Sequence, residues 1–148
     1  MAYRNGSHTL FHHRHHLVWA PKYRYKVLIG DVRIRVRDII HQVCAEMGVT
    51  IVSGALSRDH VHLFVDIPPH VSVSEFVQRA KGRSSRRIQQ EFEHMRKRYW
   101  GQRFWARDYF STTSGNITDE VIMAYLERHT APHHQASASR PEPTGFRR

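Results

Sequence analysis

His60-Val61-His62 is the first place in this chain where residue type and spacing could do chemistry. In a strand, side chains alternate between faces, so His60 and His62 point the same way and can share a metal ion. Val61, Leu63 and Val65 then point the other way, into a core. With 13 histidines in the chain, about one such spacing arises by chance, and a second, His13-Arg14-His15, is present. Two solvent-facing strand histidines would give the same pattern. Tyr125 and His129 form the second candidate pair. Four residues apart on a helix, they share one face a turn from each other, and a phenol beside a metal-ligand candidate suits nucleophilic attack on phosphorus. A tyrosine with its ordinary pKa of about 10 needs help near neutral pH, which a cation polarising the phosphate can give. The same spacing also fits a core aromatic beside Val121, Ile122 and Leu126, with His129 a cation favourable to the helix C-terminus.

The elements that must position these residues can be read along the chain. His16 to Ala20 reads as a strand stopped by Pro21. Asp31 is placed to cap a helix with apolar residues at Val32, Val36, Ile39, Ile40, Val43 and Met47, ended by Gly48. Val49–Leu56 and His60–Ile67 read as strands around a Ser57-Arg58-Asp59 turn. Ser72-Val73-Ser74-Glu75 is a capping box, opening a helical stripe that Gly82 and Arg83-Ser84-Ser85-Arg86 interrupt. Phe104–Thr112 suits a fourth strand and Gly115-Asn116 a turn. Thr118 can cap a last helix carrying Tyr125. The expected fold is therefore α+β, a ferredoxin-like βαββαβ sandwich with an antiparallel sheet and an added C-terminal helix. Residues 1–130 form one domain, and residues 131–148, with Pro132, Pro141 and Pro143, read as a flexible tail.

Composition narrows the function classes. The 148 residues carry a net charge of +10, and residues 79–107 hold ten basic side chains against Glu91 and Glu93, a surplus of +8. Arg79, Lys81, Arg83, Arg86 and Arg87, with Tyr99, Trp100, Phe104 and Trp105 nearby, suit a nucleic-acid surface: cations for phosphates, aromatic faces for unpaired bases. A solvated helix face with a few core aromatics is the plainer alternative. Cys44 is the only cysteine, which excludes a disulfide framework and a cysteine zinc knuckle. No apolar run approaches the ~20 residues of a membrane helix, and residues 1–30 lack a signal-peptide pattern. The expected compartment is the bacterial cytoplasm, beside the nucleoid.

Five motifs then carry a resemblance: His16-Leu17-Val18-Trp19-Ala20-Pro21-Lys22-Tyr23-Arg24, Asp59-His60-Val61-His62-Leu63, Lys81-Gly82-Arg83-Ser84-Ser85, Lys97-Arg98-Tyr99-Trp100-Gly101, and Tyr109-Phe110 with Ser114-Gly115-Asn116. Together, in order between about residues 8 and 130, they resemble the single-tyrosine HUH transposases of the smallest bacterial insertion sequences. The resemblance implies a metal-dependent transposase that cuts and rejoins single-stranded DNA at element ends, recognising subterminal hairpins. It implies that His60 and His62 bind a divalent cation (Mg²⁺ or Mn²⁺), and that Tyr125 is the nucleophile forming a 5′-phosphotyrosine. It further implies a homodimer in which the tyrosine helix completes the partner's metal site, reached through a flexible Ser111–Asn116 segment. Where the family usually has glutamine, this chain has His129, which would make a third imidazole ligand. The alternatives are a non-catalytic ferredoxin-like nucleic-acid-binding module and a domesticated HUH nuclease acting on palindromic repeats.

Overall fold

The computed structural model of the chain describes residues 13–113 and 117–129. The Ser114-Gly115-Asn116 motif and the tail beyond residue 130 lie outside the described residues. Strand β1 (Arg14–Trp19) is followed by a 3₁₀ turn at Lys22–Arg24, helix α1 (Gly30–Met47), strands β2 (Thr50–Ser57) and β3 (His60–Asp66), helices α2 (Val73–Glu91) and α3 (Glu93–Arg98), strand β4 (Phe110–Thr112) and helix α4 (Asp119–Glu127). The sheet order is β2-β3-β1-β4, and all three pairings are antiparallel. This is the ferredoxin-like sandwich with an added C-terminal helix.

Alternation in the two central strands divides the sheet into two unlike faces. Leu17 and Trp19 of β1 and Val61, Leu63 and Val65 of β3 are buried in one cluster with Val36, Ile39, Ile40 and Val43 of α1 and Phe76, Val77, Ala80 and Ile88 of α2. The opposite face carries His16, His60, His62 and Phe64. There Val18 and Ala20 pack with Ile122, Tyr125 and Leu126 of α4 in a second, smaller cluster. The apolar stripe of α4 therefore brings Tyr125 onto the histidine face of the sheet.

The capping box at α2 is present, with Glu75 N–H on the Ser72 hydroxyl at 3.0 Å and Ser72 N–H on the Glu75 carboxylate at 3.1 Å. Thr118 caps α4 through the Val121 N–H. Gly48, at φ +73°, closes α1 in the left-handed conformation that glycine tolerates. Three expectations need correction. Asp31 is not the cap of α1: Ile29 precedes the helix without a side-chain bond, and Asp31 lies inside the first turn. Helix α2 runs unbroken through Gly82 and Arg83–Arg86, because Ser84 turns inward, donates to the Ala80 carbonyl at 2.6 Å and accepts from Trp105 Nε1 at 2.9 Å. The fourth strand is only Phe110–Thr112. Phe104, Trp105 and Ala106 instead plug the core, and Trp105 makes an isolated bridge to Pro21.

Candidate active site on the histidine face

His60 is oriented from behind. Its Nδ1 lies 2.9 Å from Asp59 Oδ1, and Asp59 Oδ2 accepts from Arg24 Nε at 2.7 Å. Arg24 reaches this position from the 3₁₀ turn, where Tyr23 and Arg24 both have positive φ. The hydrogen bond from His60 and the contact with Arg24 outweigh burial and draw the Asp59 carboxyl down to about 2, so it is an ionised acceptor at neutral pH. Nδ1 of His60 must then carry a proton, leaving the Nε2 lone pair for a cation. A carboxylate behind a ligand histidine is the usual outer support of such sites.

His62 has a different neighbour. Its Nε2 lies 3.2 Å from Nδ1 of His16, and His16 stacks on Phe64 with ring centroids 4.2 Å apart. Burial, then the neighbouring His16 and His60, hold His62 below the usual imidazole range. The neutral form that a metal ligand needs is thereby favoured.

Tyr125 and His129 do not meet the His60–His62 pair; they converge on Asp108. The Tyr125 phenol donates to Asp108 Oδ1 at 3.2 Å and lies 3.3 Å from the Asp108 carbonyl oxygen. His129 Nε2 is 2.5 Å from the same carboxylate oxygen, and its Nδ1 donates to the Tyr125 carbonyl at 3.0 Å. Tyr125 is 3% and His129 1% exposed. Burial first, and the Asp108 charge second, push the phenol well above the usual tyrosine range. Asp108 itself is raised by burial but brought below the ordinary carboxylate value by His129, Tyr125 and Lys81. Among the described residues no three His, Cys, Asp or Glu side chains stand where one metal ion could join them. In this arrangement His129 satisfies a last-turn carbonyl and an anion, and both its nitrogens are engaged.

The five basic candidates divide by environment. Lys81 turns inward and donates to the carbonyl oxygens of Ala106, Arg107 and Asp108 at 2.7, 3.1 and 3.0 Å, and burial draws its ammonium down to about 8. It holds the segment that carries Asp108 rather than facing solvent. Arg83 forks onto Glu46 of α1 at 2.7 and 2.8 Å. Arg87 lies 3.9 Å from Glu91, and Arg79 is exposed. Arg86 lines a groove of about 380 Å³ with Gln78, Arg103, Arg107 and Tyr109. The aromatics resolve as the plainer alternative had it: Tyr99, Phe104 and Trp105 are core residues, and only Trp100, 76% exposed, offers a free face.

Comparison with known proteins decides what this frame belongs to. The family described as "Transposase IS200 like" matches residues 9–129. The chain belongs to that family. The transposase for insertion sequence element IS200 of Salmonella typhimurium is 34% identical over 115 residues, covering 78% of this chain and 76% of the relative. The ISDra2 transposase TnpA of Deinococcus radiodurans is 30% identical over 124 residues, covering 84% and 89%. A crystal structure of a Deinococcus radiodurans protein assigned as a transposase superposes with a TM-score of 0.72 at 32% identity, covering 79% of this chain and 90% of that one. A REP-associated tyrosine transposase bound to a REP hairpin shares the fold at TM-score 0.56 and 11% identity, over 80% and 64%. The transposase is thus an enzyme acting on DNA. No helix among its described residues is long and apolar enough to cross a membrane.

Residue types and spacing did not reveal Asp108, Asp59, Arg24 or the His16–His62 contact as parts of the site. Asp59 stood next to His60 in a quoted motif, and His16 shares the alternation of Val18. Asp108 had no local pattern to mark it, since its partners lie 17 and 21 residues away in sequence.

Proposed function

We infer that this transposase cuts and rejoins single-stranded DNA at insertion-sequence ends through a 5′-phosphotyrosine on Tyr125. The observation that carries this reading is the placement of the tyrosine helix on the same sheet face as a histidine pair, one member of which is pre-oriented by Asp59 and Arg24. The Tyr125 oxygen gives up its proton and forms the new bond to phosphorus, the bond to the 3′ oxygen breaks, and that oxygen takes up a proton and leaves as a hydroxyl. Later attack by a 3′-hydroxyl on the phosphotyrosine rejoins strands, and the linkage conserves the bond energy, so no nucleotide cofactor enters.

The donors fit a divalent cation, Mg²⁺ or Mn²⁺: His60 presents Nε2, and His62 is held neutral. Bound there, such an ion would polarise the scissile phosphate and stabilise its developing charge. The docked Tyr125 is unreactive, because a buried phenol donating to a carboxylate cannot readily become a phenolate. Attack therefore requires α4 to leave Asp108. A homodimer in which α4 of one chain serves the histidine pair of the other meets that requirement, with His129 freed to ligate. Arg79, Arg86 and the groove beside Tyr109 are suited to the phosphates of an end hairpin, and Trp100 to an unpaired base. The DNA substrate is the ground for placing the protein in the bacterial cytoplasm, with the nucleoid. Incubating the protein with a single-stranded oligonucleotide carrying an end hairpin, with divalent ion or with chelator, tests the reading. Ion-dependent cleavage of the single strand but not of the duplex is expected; equal cleavage of both overturns it.

A further inference from the structure

The turn at Lys22–Arg24 does more than aim Arg24 at Asp59. Trp19 pairs with Val61 across β1 and β3, so the chain leaving β1 runs past the end of the sheet where His60 opens β3. There Tyr23, at φ +65° and ψ +8°, and Arg24, at φ +55°, are consecutive non-glycine residues in the left-handed region. That conformation is costly for a side chain as bulky as tyrosine, whereas glycine or asparagine takes it with little strain. The turn is pinned by Lys22 N–H on the Phe104 carbonyl at 2.8 Å and Arg24 N–H on the Pro21 carbonyl at 2.7 Å. Strain held in place in this way is characteristic of functional segments.

Tyr23 stands among aromatic rings and cations. Its hydroxyl donates to Gln102 Oε1 at 3.1 Å, which joins it to the turn carrying the exposed Trp100. The Tyr25 ring centre lies 5.3 Å from that of Tyr23, and the Arg98 guanidinium sits 4.4 Å from the centre of the Tyr25 ring. Lys26 and Arg98 are exposed, and among the described residues no carboxylate pairs with either. Asp59, which adjoins the turn, is taken up by Arg24 and His60. Rings suited to bases thus lie beside cations suited to phosphates, next to the residues that orient His60.

We propose that Tyr23, Arg98 and Trp100 form a track along which an unpaired DNA strand reaches the histidine face. Tyr23 and Trp100 stack on its bases, and Arg98 meets its phosphates. This rests on the reading of the substrate as single-stranded DNA and extends it, giving that preference a source outside the reacting groups. A duplex keeps its bases stacked on one another and offers these rings no free base, so the track selects the unpaired strand. Arg24 joins track to site: its backbone follows Tyr23 in the strained turn, while its guanidinium holds Asp59 behind His60.

The test uses the full chain without divalent ion, a labelled oligothymidylate of about 12 nucleotides, and a blunt duplex of the same length. Tyr23→Asn removes the ring but keeps a residue that accepts the left-handed conformation. It is expected to bind the oligothymidylate about fivefold or more weakly and the duplex unchanged. Tyr23→Phe keeps the ring and should bind as wild type does. Trp100→Ala, at an exposed position, should weaken binding as Tyr23→Asn does. Arg98→Ala should reduce the slope of log affinity against log salt by about 0.7, the single-strand value for one phosphate. In the wild-type chain, a strand carrying 5-iodouracil should crosslink on irradiation to the peptide containing Tyr23, a readout independent of any variant's folding. Wild-type affinity for the oligothymidylate in Tyr23→Asn or Trp100→Ala, an equal loss on the duplex, or a Tyr23→Phe as weak as Tyr23→Asn would each overturn the proposal. So would an unchanged slope in Arg98→Ala, no crosslink at Tyr23, or no binding of the oligothymidylate by the wild-type chain. The underlying reading fails separately, if the wild-type protein with divalent ion cleaves duplex as readily as single strand.

Discussion

Tyr125 delivers its phenol to the carboxylate of Asp108 at 3.2 Å, and the nucleophile of the proposed reaction therefore rests as a buried hydrogen-bond donor. His129, two residues past the end of α4, closes on the same oxygen, so a single carboxylate holds both the tyrosine and the histidine proposed for catalysis. The helix is docked on the sheet by a small apolar cluster and tethered by this anion.

Asp108→Asn should loosen that tether. The Asp108 side chain is 43% exposed, so after solvent screening the lost contacts are worth about 1 kcal/mol. That corresponds to about a fivefold rise in the undocked population. Tyrosine-selective NMR should show Tyr125 ionising at lower pH than in wild type, since the negative charge beside it is gone. Single-turnover cleavage should accelerate several-fold. A slower reaction would instead make Asp108 a participant in the chemistry.

Asp59 gives a prediction of acid stability. Its folded pKa is depressed from 3.8 to about 2, and its side chain is 14% exposed, which corresponds to about 2 kcal/mol of stability. Because the folded value is the lower one, that contribution is in place above about pH 4 and is lost as pH falls toward 2. Urea unfolding of Asp59→Asn between pH 2 and 7 should show this part of the acid dependence missing. The same variant should bind divalent ions about 10- to 100-fold more weakly.

The basic candidates separate by salt. Arg86→Ala should weaken binding to all hairpins alike and reduce the slope of log affinity against log salt by about one unit at most. Lys81→Met should leave the slope unchanged and lower stability by about 1–2 kcal/mol, because three carbonyl oxygens lose their donor. A changed slope in Lys81→Met would return that residue to the DNA surface.

What the sequence made legible was local. The alternation in His60–Asp66, the capping box at Ser72 and the cap at Thr118 each lie within a few residues, and each is present. What was hidden depended on distant partners. Lys81 and Arg83 look alike in a basic run, yet one finds carbonyls 25 to 27 residues on and the other finds Glu46 on a neighbouring helix. Tyr99, Phe104 and Trp105 read as stacking surfaces because aromatic residues among cations have the same composition whether they fill a core or face solvent.

Assembly across two chains can be read from mixed dimers. Co-expressed Tyr125→Phe and His60→Ala/His62→Ala chains should form one working site if the tyrosine helix acts in trans, and none if it acts in cis. Cleavage at about half the wild-type level per mixed dimer is expected. A mixed dimer as inactive as its parents, with both variants still binding hairpin DNA, would contradict the trans arrangement.

The most direct measurement is the covalent adduct itself. An oligonucleotide labelled at its 3′ end keeps its label on the fragment joined to the protein, whereas a 5′ label leaves with the released strand. Wild-type protein with a divalent ion should give a labelled band that survives denaturation, and Tyr125→Phe should give none. A labelled band of undiminished intensity in Tyr125→Phe would contradict the assignment of Tyr125 as the nucleophile and move the chemistry to another side chain.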